Sequence, residues 1–166
     1  MYHLHCQGFV YSGLRLENIK FNQQGDVKLA GLGHATRHSE YPCYSAVCAE
    51  PYSSPEMFTA CFPLGFLPEK AAIYSLGIIF LAIRIGYLPP IQPYPLGSIE
   101  LQDERFWDCL EIMSKTKLDN VFRRLIKSMV TPNIEQRLNI EQVLIHSWLC
   151  PDEGDDESMS EYPTQA

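Results

Sequence analysis

The pattern of hydrophobic positions divides this chain into three regimes. Near the start the apolar residues come in short runs: one after Gly8, then Ile19 to Phe21, then Val27 to Leu29. The last two flank Asn22-Gln23-Gln24-Gly25-Asp26, a connection of the kind that closes a β-hairpin. From His34 to Ser54 no period is discernible, and the stretch reads as a long loop. Beyond it the spacing turns helical. Glu69 to Gly86 is a strongly apolar helix, and Glu104 to Lys115 and Leu118 to Val130 are amphipathic ones. In the latter, Val121, Leu125, Ile126 and Met129 recur at helical spacing. Ile140 to Leu149 predicts a last helix.

Glycine and proline sharpen these boundaries. Residues 1 to 7 read as the last turns of a helix that Gly8 terminates, and so few turns are not stable alone, so the chain is expected to begin inside an element. Pro55 stands where a first helical turn tolerates a missing N–H, opening a short helix at Pro55-Glu56-Met57-Phe58. Pro89, Pro90, Pro93 and Pro95 make a stiff loop. Two short strands followed by helices predict a mainly α, α+β lobe with one short β-hairpin, and exclude a doubly wound sheet. The domain is expected over residues 1–150. Residues 151–166, rich in Asp and Glu with few apolar residues, predict an acidic disordered tail.

Composition narrows the function classes. With 166 residues, 46% of them hydrophobic and 20% charged, one core is expected. A formal net charge of −7 with only 13 Lys and Arg argues against sequence-independent nucleic-acid binding, which neutralises phosphates with basic side chains. Six scattered cysteines without a C-x-x-C pair predict reduced thiols, and the five histidines show no metal-ligand spacing beyond a lone His3-x-His5 with no second cluster, so no metal site is expected. The apolar run Ala71 to Leu88 contains Ser75, Gly77 and Arg84, which favours a buried core helix over a membrane span. A cytoplasmic, soluble protein without a membrane partner is the expectation.

Five short motifs in order carry a resemblance. Tyr11-Ser12-Gly13-Leu14-Arg15-Leu16-Glu17-Asn18 resembles the H-R-D-L-x-x-x-N catalytic loop of eukaryotic protein kinases, with Leu14 and Asn18 fitting the pattern. Val27-Lys28-Leu29-Ala30-Gly31-Leu32-Gly33 resembles the strand and D-F-G element, and Ser54-Pro55-Glu56 the A-P-E motif. Ala71-Ala72-Ile73-Tyr74-Ser75-Leu76-Gly77 is similar to the start of the central buried helix. Gln136-Arg137-Leu138 and His146-Ser147-Trp148-Leu149 are similar to the final helices of calmodulin-dependent-kinase-like serine/threonine kinases. The resemblance implies a kinase-like C-terminal lobe over residues 1 to about 150. No G-x-G-x-x-G loop, V-A-I-K lysine or partner-helix glutamate appears, so it also implies that the small ATP-clamping lobe is missing from this chain.

Within that resemblance the chemistry is missing. The loop carboxylate that would take the substrate proton is Gly13, and the carboxylate that would hold Mg²⁺ is Gly31. A positioned general base is worth about 10² to 10⁴ in rate. The other degenerate positions are Tyr11 and Ser12 in the triplet, Ala49 for the activation-segment threonine, Ala72 for the anchoring Asp, and Lys20 beneath the adenine position. Glu56 and Arg137, by contrast, match a structural pair that in the family joins the activation segment to the last helices.

Several residues admit two readings. Asn18 is either a remnant Mg²⁺ ligand or a loop-capping Asn. Arg15 is either a residual phosphate contact or a surface cation. Pro90-Ile91-Gln92-Pro93 matches P-x-x-P but also suits a stiff loop, and Ser158 and Ser160 are either phosphorylation sites or part of a solvated tail. The resemblance implies an inactive, pseudokinase-like domain acting in protein interaction or regulation, with a kinase or regulatory protein as partner and no cofactor. The alternative is a fragment of an ATP-dependent serine/threonine kinase, in which case ATP and Mg²⁺ would serve residual activity.

Overall fold

The structure is a computed structural model and describes residues 1–11, 13–37, 51–59, 65–91 and 100–151. It opens on a short helix, α1 (Tyr2–Cys6). Gly8 ends it: its φ is +76°, a left-handed value that glycine adopts without a Cβ penalty, and its N–H donates to the His5 carbonyl at 2.9 Å. Strand β1 (Phe9–Tyr11) follows, then β2 (Ile19–Phe21) and β3 (Val27–Leu29), each beginning and ending where the apolar runs do.

Strands β2 and β3 pair antiparallel with Lys20 opposite Lys28 and Phe21 opposite Val27. Asn22 organises their connection by accepting from the Gln24 and Asp26 N–H groups at 3.0 and 2.8 Å. The expected single hairpin needs one correction. A fourth strand, β4 (Ala35–Arg37), lies inside the stretch read as a loop and pairs antiparallel with β1, Val10 opposite Thr36, so the described residues form two two-stranded sheets. Ala-Thr-Arg is too short and too polar to show a period. Its backbone partner, β1, is what makes it a strand. Residues 38–50 of the same stretch lie outside the described residues.

The helical part follows the sequence more closely. It comprises α2 (Pro55–Thr59), α3 (Pro68–Ile85), α4 (Glu104–Ser114), α5 (Asn120–Val130) and α6 (Ile140–Leu144). Asp119 caps α5 by accepting from Phe122 N at 2.8 Å, which moves its start two residues past Leu118, and Asn139 and Gln142 form a reciprocal capping box on α6. The last helix is also shorter than its spacing predicts. It stops at Leu144, where His146 N–H bonds back to Val143 and the His146 Nδ1 accepts from Trp148 N at 3.2 Å, so a side chain displaces the helical pattern. The tighter turns lay Trp148 against Phe80 and Phe122, with ring centroids 6.3 and 5.0 Å apart.

Helix α3 is the axis of the core. Ile73, Ile78, Ile79 and Leu81 are buried on all sides, and Phe122, Leu125, Ile126 and Met129 of α5 pack in the same cluster. Gly77 permits the contact: a Cβ there would lie 2.8 Å from Val130 Cγ1 and 3.0 Å from Met129 Cβ. The run expected to be a buried core helix is therefore one. Among the described residues no helix is long and apolar enough to cross a membrane.

Candidate functional site

Two clusters of polar residues stand against this core. The first gathers the end of β1, the turn before β2 and the residues after β3. Tyr11 is fully buried, and Gly13 is buried beside it in sequence. Asn18 closes a single turn of 3₁₀ helix (Leu16–Asn18) and is half-buried. Its Nδ2 donates to the Tyr11 hydroxyl at 2.5 Å, and that hydroxyl donates to the Ala30 carbonyl at 3.4 Å. The Ala30 N–H in turn donates to the Asn18 carbonyl at 2.8 Å. The three residues thus form a closed ring of hydrogen bonds across the two strand systems.

Gly31 lies under this ring. Its φ of +72° is left-handed, and a Cβ built on it would meet Asn18 Nδ2 at 2.9 Å and Cγ and Oδ1 at 3.1 Å. The amide of Asn18 therefore rests on the bare Cα of residue 31. Arg15 is exposed, and its charge opposes the upward push that burial first, and then the Glu17 carboxylate, give the Tyr52 hydroxyl.

The second cluster joins distant segments. Arg137 is fully buried and its guanidinium forks onto Glu56, Nη1 to Oε1 at 2.5 Å and Nη2 to Oε2 at 3.0 Å. Its remaining donors reach the Thr131 carbonyl, from Nε at 3.0 Å and Nη2 at 2.9 Å, and the Lys70 carbonyl, from Nη1 at 2.9 Å. Every N–H of the guanidinium is used. Lys70 Nζ bonds back to the Arg137 carbonyl, and the guanidinium carbon stacks 5.3 Å from the Tyr74 ring. Burial drives the Tyr74 phenol up to about 12, against the opposing pull of Arg137. Nearby, Ser75 Oγ donates to the Tyr52 carbonyl at 2.8 Å, fastening the segment before α2 to α3.

This arrangement, with its order of strand, loop, strand and buried helix, agrees with the sequence profile of the protein kinase domain, which matches residues 1–149. The chain belongs to the protein kinase domain family. It is 26% identical over 155 residues, 91% of this chain, to fatty acyl-CoA synthetase and RNA processing-associated kinase 1 of Saccharomyces cerevisiae. It is 30% identical over 157 residues, also 91% of this chain, to testis-specific serine/threonine-protein kinase 5 of Mus musculus, and 28% identical over 152 residues, 89% of this chain, to the human hormonally up-regulated neu tumor-associated kinase. It spans 18%, 39% and 20% of the lengths of those three proteins.

Kinase domains of this family use ATP with Mg²⁺, so the donors at the matching positions can be weighed against that ion. A hard divalent cation of this size takes a near-octahedral shell of oxygens, usually anchored by one or two carboxylates. Residues 13 and 31 offer no side chain, and Asn18 offers one neutral amide that is already bonded to Tyr11. That donor set does not fit. Among the described residues, no group of three or more His, Cys, Asp or Glu is placed to hold a metal ion.

Of the positions singled out in the sequence, the structure brings Tyr11, Asn18 and Gly31 together, and Glu56 with Arg137. Gly13 and Ala72 are buried, while Arg15 and Lys20 are exposed. Ser12, Ala49, Pro93, Ser158 and Ser160 lie outside the described residues. Sequence reasoning missed Thr131 and Ala30, which contribute through backbone groups that leave no mark in residue type, and Lys70, which contributes its carbonyl and its Nζ. It also missed that Tyr11 would bond Asn18.

Proposed function

We propose that this protein kinase domain is catalytically inactive, a pseudokinase whose helical C-terminal lobe acts in protein interaction or regulation. The observation that carries the reading is the state of the positions matching the base and the metal ligand: Gly13 and Gly31 supply no carboxylate, and Asn18 lies over Gly31 with its amide committed to Tyr11. Phosphoryl transfer depends mostly on positioning and charge neutralisation, so loss of both carboxylates removes the groups the reaction leans on. The structural pair Glu56–Arg137, with all five guanidinium donors used, supports a domain kept for its fold.

The partner in this reading is a protein, a kinase or a regulatory protein, met in the cytoplasm, and neither ATP nor Mg²⁺ is held. Phe21 and Val27, 70% and 64% exposed and opposite each other on the β2–β3 hairpin, support the association role. Purified protein tested with Mg·ATP and Mn·ATP is expected to give no shift in unfolding temperature and no transfer of labelled phosphate to itself or to a basic protein acceptor. Transfer that Arg15→Ala abolishes overturns the reading. The relatives, named as kinases and two and a half to more than five times as long, favour one alternative: that this chain is a portion of an active serine/threonine kinase. The same transfer assay decides it.

A further inference from the structure

Resting on the inactive reading above, we infer that Tyr11 and Asn18 form a clasp which closes the former metal position from within, so that restoring the lost carboxylate at residue 31 does not by itself restore a cation site. The geometry has three interlocking parts. Asn18 is the only side chain among the matched positions 13, 18 and 31 that could ligate a metal, and its Nδ2 is bonded to the Tyr11 hydroxyl at 2.5 Å. The hydroxyl passes its own hydrogen to the Ala30 carbonyl at 3.4 Å, the residue directly before Gly31, while the Ala30 N–H holds the Asn18 backbone at 2.8 Å. Gly31 then presents its bare Cα to the Asn18 amide, with 2.9 to 3.1 Å left for any Cβ, so Asn18 would have to shift to admit one.

Each part requires the others. A side chain at residue 31 would push Asn18 off Gly31 and away from Tyr11, and would have to adopt a left-handed φ of +72°. Freed of Tyr11, Asn18 could turn aside and admit one. Tyr11 is fully buried, and its hydroxyl is satisfied on both sides by this ring, so the clasp is also where β1 is tied to the β2–β3 unit. In this position a tyrosine does a different task from a charged residue: it fixes the loop by neutral hydrogen bonds and leaves no place for a cation.

Five variants of the full chain test this: Tyr11→Phe, Asn18→Ala, Gly31→Asp and the double variants that combine Tyr11→Phe with Gly31→Asp and Tyr11→Phe with Asn18→Ala. The readouts are thermal unfolding and binding of Mn²⁺ alone, followed by its electron paramagnetic resonance signal. Tyr11→Phe keeps the aromatic ring and removes the hydroxyl with both of its hydrogen bonds, so its midpoint should fall by about 4 to 8 °C, the size of two net hydrogen bonds in a domain of this length. Gly31→Asp should lower the midpoint further and bind Mn²⁺ no better than the unaltered chain. The two losses should not add: in the Tyr11→Phe background, Gly31→Asp should cost less than it does alone. Should Gly31→Asp prevent folding, the pair Tyr11→Phe and Asn18→Ala supplies the same answer, since after either one the other should cost little more. Additive losses in both cycles overturn the clasp, as does tight Mn²⁺ binding by Gly31→Asp alone. Phosphate transfer by the unaltered chain overturns the inactive reading instead, and the additivity of the losses still decides the clasp.

Discussion

Removing Glu56 while keeping Arg137 isolates a buried charge. In the native fold the Arg137 side chain has no solvent exposure and Glu56 has 9%. The guanidinium makes five hydrogen bonds, two to the Glu56 carboxylate and three to the carbonyls of Thr131 and Lys70. Glu56→Ala deletes the two charge-assisted bonds and leaves the cation with three bonds to two neutral carbonyls and no counterion. Breaking a buried pair on one side costs about 3 to 5 kcal/mol, because the remaining charge keeps its full desolvation penalty. For a chain of this length that corresponds to roughly 6 to 20 °C in unfolding midpoint. The double variant Glu56→Leu with Arg137→Met removes the stranded charge and should recover part of the loss. Recovery should be incomplete, since the Thr131 and Lys70 carbonyls then lose their donors at about 1 to 3 kcal/mol per unsatisfied group. Urea titration followed by fluorescence of Trp107, fully buried beside Leu101, and Trp148, packed on Phe122, reads both variants. A Glu56→Ala loss below about 1 kcal/mol with unchanged cooperativity would refute the argument, since a charge so enclosed could not then be paying its desolvation cost.

Two further outcomes follow from the packing and charge of the helices. Gly77→Ala should destabilise by about 1 to 3 kcal/mol by overpacking α3 against Val130 and Met129, although alanine is about 1 kcal/mol the better helix former; calorimetry showing a gain would mean that α5 yields easily there. Glu111 accepts from Leu118 N at 2.6 Å and pairs with Arg123 at 3.0 Å, and these bonds, the backbone one first, hold its carboxyl below the ordinary value of 4.5. A carboxylate depressed in the folded state contributes stability that is complete above that value and lost as pH falls below it. Denaturation midpoints between neutral pH and pH 3 should therefore fall on the acid side, and Glu111→Gln should flatten that fall; an unchanged acid slope in the variant would assign it to other carboxylates, such as Glu104.

Much of the architecture was legible because its causes are local. Gly8 and Gly86 mark helix ends through a backbone conformation that glycine adopts readily, with φ of +76° and +83°. Asn22 and Gly25 specify the hairpin turn, and the apolar run of α3 has the length and composition of a buried helix. The elements that escaped were those whose cause lies elsewhere in the chain. β4 exists because β1 offers an edge to it, and α6 ends early because His146 and Trp148 find better contacts outside a helix.

At the site the same division holds. Residue types alone determine that positions 13 and 31 have no carboxylate, and the ordered motifs determine the family, since neither depends on how the chain is packed. Only the tertiary structure decides what occupies the vacated chemistry. The approach of Asn18 to the bare Cα of Gly31, the hydroxyl of Tyr11 reaching the Ala30 carbonyl, and the carbonyl of Lys70 at Arg137 arise from segments well separated in sequence. Hydrogen bonds to backbone groups carry no signature in side-chain identity, so their partners become visible only once the chain is folded.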